Sequence, residues 1–199
     1  MTLSLLIDTS TEKALFALME NGSLKATYHL QGDASLSSTI ELSLLDFIKQ
    51  QGLDRVFSWL ERIYIGLGPG SFTGTRVGMI LGKTLSFARN IPAVGFSSLE
   101  LAMQDPKDIP LLDAKSSGIY ALEKGVVTLY TPENFSQLDK KKRFVSLNAA
   151  PLKARLAGVE IQENPAHPLS ALQNSKLSKE PYSFAKTALL APIYLDALK

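Results

Sequence analysis

The sequence predicts an α/β fold in two lobes, the second of them reduced. Three observations carry this. Apolar runs of strand type alternate with helical patterns through the first hundred residues. A polar stretch with two prolines, Gln104-Asp105-Pro106-Lys107-Asp108-Ile109-Pro110, then interrupts them, and a second strand-led set begins at Leu111. We therefore place one lobe at 1–103, a smaller one at 104–186, and a C-terminal segment at 187–199 that can return to the first. With 199 residues, 45% of them hydrophobic, the chain can bury one sizeable core or two small ones.

Leu3 to Ile7 is a short apolar run stopped by the small polar residues Asp8-Thr9-Ser10-Thr11, which favour a tight turn. Ala14 to Met19 reads as a strand, Asn21-Gly22 is a strong hairpin signal, and Leu24, Ala26, Tyr28 and Leu30 then alternate with polar residues. From Leu36 to Gln51 the period becomes helical: Leu36, Ile40, Leu44, Phe47 and Ile48 share one face, and Gly52 ends the helix. Leu42 and Leu45 fall outside that stripe, so the apolar surface is wide enough for a core on one side and something else on another. A strand at Ile63-Tyr64-Ile65 leads into a glycine-rich turn, and a helix runs from about Thr75 to Arg89. Ile91 to Phe96 is a further strand, after which Ser97 or Ser98 can cap a short helix.

Beyond the break, Leu111-Leu112-Asp113, Gly118 to Leu122 and Val126 to Tyr130 read as strands, the last two joined at Lys124-Gly125. Pro151 to Ala157 and Pro168 to Leu177 are expected helices, and Gly158 to Ile161 a strand. Pro192 argues against one continuous helix in the tail Ala185 to Leu198. The sequence contains no internal repeat.

The turn Gly66-Leu67-Gly68-Pro69-Gly70-Ser71-Phe72-Thr73-Gly74 places four glycines in nine residues, which implies an unusual backbone path. Ser71 or Thr73 can cap the following helix, whose free amides would form an anion site. A tight connection that binds nothing is an equally good reading. Neither familiar phosphate motif fits: Gly78-Met79-Ile80-Leu81-Gly82-Lys83-Thr84 is one residue short of a Walker loop, and the Rossmann spacing fails at Ser71 and Thr73. Gly74, Gly78, Gly82 and Ser86 recur every fourth residue along one helical face. Mid-helix glycine costs roughly 1 kcal/mol against alanine, so the row calls for close approach of another helix, either this chain's first helix or a partner's.

The chain has no cysteine, which excludes disulfides and thiolate metal sites, and its two histidines, His29 and His167, belong to no ligand-spaced cluster. Asp8 and Asp113 each end an apolar strand, where α/β folds place functional acids; at Asp113 a turn-capping role is preferred. The net charge of +2 is too mild to announce nucleic-acid binding, and Lys140-Lys141-Lys142-Arg143 is read as a solvated loop ahead of a tRNA contact. The N-terminus reads as a first strand and not a signal peptide, and no stretch approaches the roughly 20 apolar residues of a membrane span. A cytoplasmic protein is expected.

Three strands, helix, strand, helix, strand, then a second strand-led lobe, with Asp8-Thr9-Ser10-Thr11 after the first strand, resembles the actin, sugar-kinase and Hsp70 (ASKHA) superfamily. That resemblance implies a phosphate-proximal role for Asp8, Thr9, Gly70, Ser71 and Thr73. Only Gly118, Gly125 and Gly158 lie beyond Gly95, so an independent ATP site looks truncated.

Read together, Ile7-Asp8-Thr9-Ser10-Thr11, the block Gly68-Pro69-Gly70-Ser71-Phe72-Thr73-Gly74-Thr75-Arg76-Val77-Gly78 with Lys83 downstream, and Ile91-Pro92-Ala93-Val94-Gly95-Phe96-Ser97-Ser98-Leu99-Glu100 resemble the TsaB family, also called YeaZ. The resemblance covers residues 1 to 101 and weakens afterwards, where Asp113-Ala114-Lys115, Ile119-Tyr120 and Pro192-Ile193-Tyr194-Leu195 still echo it. It implies a non-catalytic subunit that scaffolds the paralogue TsaD in making threonylcarbamoyladenosine on tRNA. ATP and magnesium would be used by the assembled complex, with TsaE as accessory ATPase and tRNA met only through the complex. The first two helices would pack on those of TsaD or of a second copy, which assigns Ile40, Leu44, Leu45, Gly74, Val77, Gly78, Leu81 and Gly82 to the contact. On that assignment a Gly78→Leu variant folds but loses its partner. The chain departs from the family pattern at Leu36, Glu41, Lys115 to Gly118 and Asp196. The alternative is a stand-alone ATPase or small-molecule kinase built on Asp8 and the turn Gly70 to Thr73.

Overall fold

A computed structural model describes residues 2–11, 13–31, 36–52, 60–168 and 190–195. The chain divides into two compact units, Met1–Ser98 with Leu177–Ile193, and Leu99–Lys176 with Tyr194–Lys199. Past its first residue, the expected helix Pro168–Leu177 lies outside the described residues, as does the tail 185–198 apart from 190–195.

In the first unit, β1 (Leu3–Asp8), β2 (Lys13–Glu20) and β3 (Ser23–Gln31) form a meander, and β4 (Leu60–Gly66) and β5 (Ala93–Phe96) add to its other side. The order is β3-β2-β1-β4-β5, antiparallel across β1 to β3 and parallel from β1 through β4 to β5. Asn21 and Gly22 take φ of 51° and 77°, the left-handed pair that a two-residue hairpin turn demands, and so register β2 on β3. β1 is central and almost wholly apolar because it is covered on both faces.

Helix α1 (Leu36–Gln50) buries Ile40, Leu44, Phe47 and Ile48 against Leu5, Phe16, Leu18 and Ile63 of the sheet. Ile40 and Leu44, assigned to a partner contact by the resemblance, are buried in the lobe's own interior, so any part they take in a contact is from beneath the surface. Helix α2 (Phe72–Arg89) begins three residues before the expected Thr75 because the Ser71 hydroxyl accepts from the Gly74 amide at 3.1 Å and caps it. Asn90, with φ of 53°, closes its C-terminus.

In the second unit, β6 (Ile109–Asp113), β7 (Ile119–Glu123), β8 (Val126–Tyr130), β9 (Phe144–Ser146) and β10 (Ile161–Glu163) make a second five-stranded sheet, with a short α3 (Ala150–Arg155). Its order, β8-β7-β6-β9-β10, repeats that of the first sheet, and so do its pairings. This duplication is absent from the sequence, because strand pairing leaves no mark that composition can show. Asp113 ends β6 as Asp8 ends β1. β9 was not expected; the strand expected from Gly158 starts at Ile161 instead, since Gly158 takes φ of 77° in the preceding turn. Phe144, Leu111, Ile119 and Leu152 anchor the second core. Among the described residues no helix is long and apolar enough to cross a membrane.

Candidate functional site

The turn after β1 and the turn before α2 are brought together, as the phosphate-proximal assignment requires, but they close on each other. The Ser71 amide donates to the Ser10 carbonyl at 2.6 Å, and the Thr9 hydroxyl donates to the Gly74 carbonyl at 2.6 Å. Asp8 Oδ1 accepts from the amide and the hydroxyl of Ser10, at 2.8 and 2.7 Å. Asp8 is 1% exposed and its Oδ2 has no hydrogen-bond partner. Burial pushes the Asp8 carboxyl above the usual carboxylate range, and the hydrogen bonds from Ser10 offset only part of this.

The glycines are explained by this closure. A Cβ on Gly70 would strike the Ser10 carbonyl, one on Gly74 the Thr9 carbonyl, and one on Gly78 the Thr9 hydroxyl. On Gly82 it would come 2.6 Å from Ile65 Cδ1, and on Gly66 2.5 Å from Asp8 Oδ2. Close backbone approach is therefore real, but it is helix on sheet. Gly74, Gly78 and Gly82 are buried against the turn after β1 and against β4, so the glycine row is accounted for within the lobe itself. Ser97 and Ser98 do not simply cap a helix either: the Ser97 hydroxyl donates to the Gly68 carbonyl at 3.3 Å, and the Ser98 hydroxyl accepts from the Gly68 amide at 3.2 Å.

An ATP–magnesium group, implied by the superfamily, fits these residues poorly. Two of the amides at the start of α2 that would face an anion, those of Ser71 and Gly74, are spent on Ser10 O and Ser71 Oγ, and the Asp8 oxygen turned from Ser10 is enclosed. In the second unit Arg155 donates to the Asp113 carboxylate and to the carbonyls of Lys115 and Gly118. That turn offers oxygens to a cation the chain itself supplies. Lys142 pairs with Glu123 at 2.7 Å and Arg143 with buried Asp108 at 2.7 Å, so half of the basic run is held in ion pairs.

The opposite side of α2 is different. Phe72, Arg76, Ile80 and Phe87 follow a near-fourfold spacing on the face away from the glycine row, with Phe72 57%, Ile80 64% and Phe87 72% exposed. The Arg76 guanidinium stacks 3.7 Å over the Phe72 ring. On the neighbouring α1, Leu42 is 63% and Leu45 42% exposed. Of the residues expected at a contact, Leu45 lies open, while Val77 and Leu81 are half-buried and pack against the first core. Sequence reasoning passed over Phe72, Ile80 and Phe87, although their recurrence opposite the glycines is a readable signal.

Two lobes of one topology, with an acid-ended first strand in each sheet, define an actin/sugar-kinase/Hsp70-like protein. A family model described as "TsaD: tRNA N6-adenosine threonylcarbamoyltransferase" matches residues 42–193, well over half of the chain. Two curated relatives bear the name "tRNA threonylcarbamoyladenosine biosynthesis protein TsaB". The one from Bacillus subtilis (strain 168) is 30% identical over 65% of this chain and 59% of its own length, and the one from Escherichia coli (strain K12) is 26% identical over 60% and 53%. The chain thus spans a little over half the length of these relatives. The solved structure "YeaZ from Pseudomonas aeruginosa" superposes with a TM-score of 0.76 at 20% identity, covering 98% of this chain and 100% of that one, which shows a shared fold. The chain belongs to the TsaB (YeaZ) family, within the wider family that the TsaD model describes.

Proposed function

We propose that the chain is a non-catalytic subunit in the synthesis of threonylcarbamoyladenosine on tRNA, and that it scaffolds and activates a TsaD-type transferase. The observation that carries this is the exposed apolar surface of two adjacent helices, Leu42 and Leu45 on α1 with Phe72, Ile80 and Phe87 on α2. Such a surface, backed by a helix locked rigidly to its own sheet, suits a helix pair of a paralogue with the same fold. ATP, magnesium and a TsaE-type ATPase belong to the assembled complex on this reading, and tRNA reaches the chain through it. A homodimer would use the same face. The closed turn at Asp8 supports a scaffold, and the ATPase or small-molecule kinase alternative draws no support from it.

Reconstitution tests the reading. Threonylcarbamoyl transfer to tRNA is measured with TsaD-type and TsaE-type proteins of the same organism, with and without this chain. Product should require the chain, and the Ile80→Glu/Phe87→Glu double variant should not restore it. Full turnover without the chain would overturn the proposal.

A further inference from the structure

We infer that Leu190–Ile193 is a strap that braces the second half of α2, fastened by Lys83. Lys83 Nζ donates to the Leu190 carbonyl at 2.6 Å across a sequence separation of 107 residues, and the Ile193 amide donates to the Leu67 carbonyl at 2.7 Å. Between these two bonds the Leu190 side chain enters the first core, 6% exposed. Pro192 crosses the gap without an amide proton to satisfy.

The slot is shaped for this occupant. Gly95 forms its floor: a Cβ there would come 2.5 Å from Leu67 Cδ1 and 3.0 Å from Leu190 Cδ2, so a larger residue would make both leucine side chains shift. One end of the strap thus holds the entrance to the glycine turn, and the other holds the middle of α2. A charged donor makes the α2 end the stronger of the two fastenings.

α2 is secured unevenly along its length. Its first half is pinned by Thr9 against Gly74 and Gly78; its second half has Gly82 on Ile65, the Ser86 hydroxyl donating to the Ile91 carbonyl at 2.6 Å, and the strap. Lys83 stands three residues after Ile80 and four before Phe87, on the flank away from Val77 and Leu81. Release of the strap would therefore loosen the stretch that presents Ile80 and Phe87. Its consequence for docking rests on the function proposed above; the strap itself does not.

Amide hydrogen exchange by NMR on the 199-residue chain tests it, with Lys83→Met, which keeps the apolar stem and removes the ammonium. The Ile193 amide and the amides of residues 83–89 should exchange about tenfold faster or more, while Leu5 and Ile7 of β1 keep their rates. An unchanged Ile193 would show that Lys83 does not fasten the strap. A faster Ile193 with unchanged residues 83–89 would show that the strap does not brace α2. Equal acceleration in β1 would reduce the effect to general destabilisation. Each of these three results overturns the inference.

Discussion

A single methyl group at Gly78 tests the helix-on-sheet packing of α2. The Cβ of a Gly78→Ala variant falls on Thr9 Oγ1, which is itself donating to the Gly74 carbonyl at 2.6 Å, whereas Thr9 Cβ and Cγ2 lie at 3.4 and 3.5 Å. Overpacking of this kind costs about 1–3 kcal/mol, and loss of the hydroxyl bond adds about 1 kcal/mol. Alanine returns roughly 1 kcal/mol through its better helix propensity. The net expectation is a loss of about 1–3 kcal/mol. In a Thr9→Ala background the obstructing oxygen is gone and the nearest remaining atom is the Cβ at ordinary contact distance. There Gly78→Ala should stabilise, by up to about 1 kcal/mol. Urea denaturation of the four proteins, at equal m-values, measures both steps. An equal loss in both backgrounds would refute the assignment of Thr9 as what makes glycine necessary. A leucine at 78 overfills the same space further, so Gly78→Leu is expected to lose stability as well as its partner.

Three further outcomes are expected. Asp8 holds its proton above the usual carboxylate range, so across that window the unfolded chain has released a proton that the folded chain retains; wild-type stability should fall as pH rises through it and level off beyond. Asp8→Asn keeps the acceptor for Ser10 and should remove that slope in thermal melts; identical pH profiles would show that Asp8 is ordinary. Ile80→Glu/Phe87→Glu should leave thermal stability within about 0.5 kcal/mol, since both side chains are exposed. The same variant should weaken partner affinity roughly 30-fold or more, as truncating a central anchor does; isothermal titration reads this, and unchanged affinity would remove α2 from the contact. Arg155→Met should loosen the β6–β7 turn by withdrawing its donors from Asp113, Lys115 and Gly118, seen as faster exchange of the Gly118 and Ala114 amides with the first unit unaffected.

The first lobe was legible because its signals are local. Asn21-Gly22 fixes a hairpin, Ser71 caps a helix, and the spacing of Ile40, Leu44, Phe47 and Ile48 declares a buried face. What lay under the glycine row was not legible. Periodicity says that Gly74, Gly78 and Gly82 share a face, but the atoms that demand them belong to Thr9 and Ile65, far off in sequence. The outer stripe was obscured for a related reason: α2 also carries Met79, Leu81 and Leu85, so apolarity alone does not say which side meets solvent. β9 is three residues long and follows directly on the lysine run, too short for alternation to register. The closure of the Asp8 turn depends on a carbonyl of Ser10 meeting an amide at Ser71, a contact between backbones that side-chain identity cannot announce.

On the function proposed, the outer face of α1 and α2 docks a paralogue of the same fold. Size-exclusion chromatography with light scattering, on this chain mixed with the TsaD-type protein of its own organism, tests it most directly. The wild-type chain should form a heterodimer, displacing any homodimer, and the Ile80→Glu/Phe87→Glu variant should form none at the same concentration. A heterodimer formed equally well by that variant, or two proteins eluting at their separate masses, would contradict it.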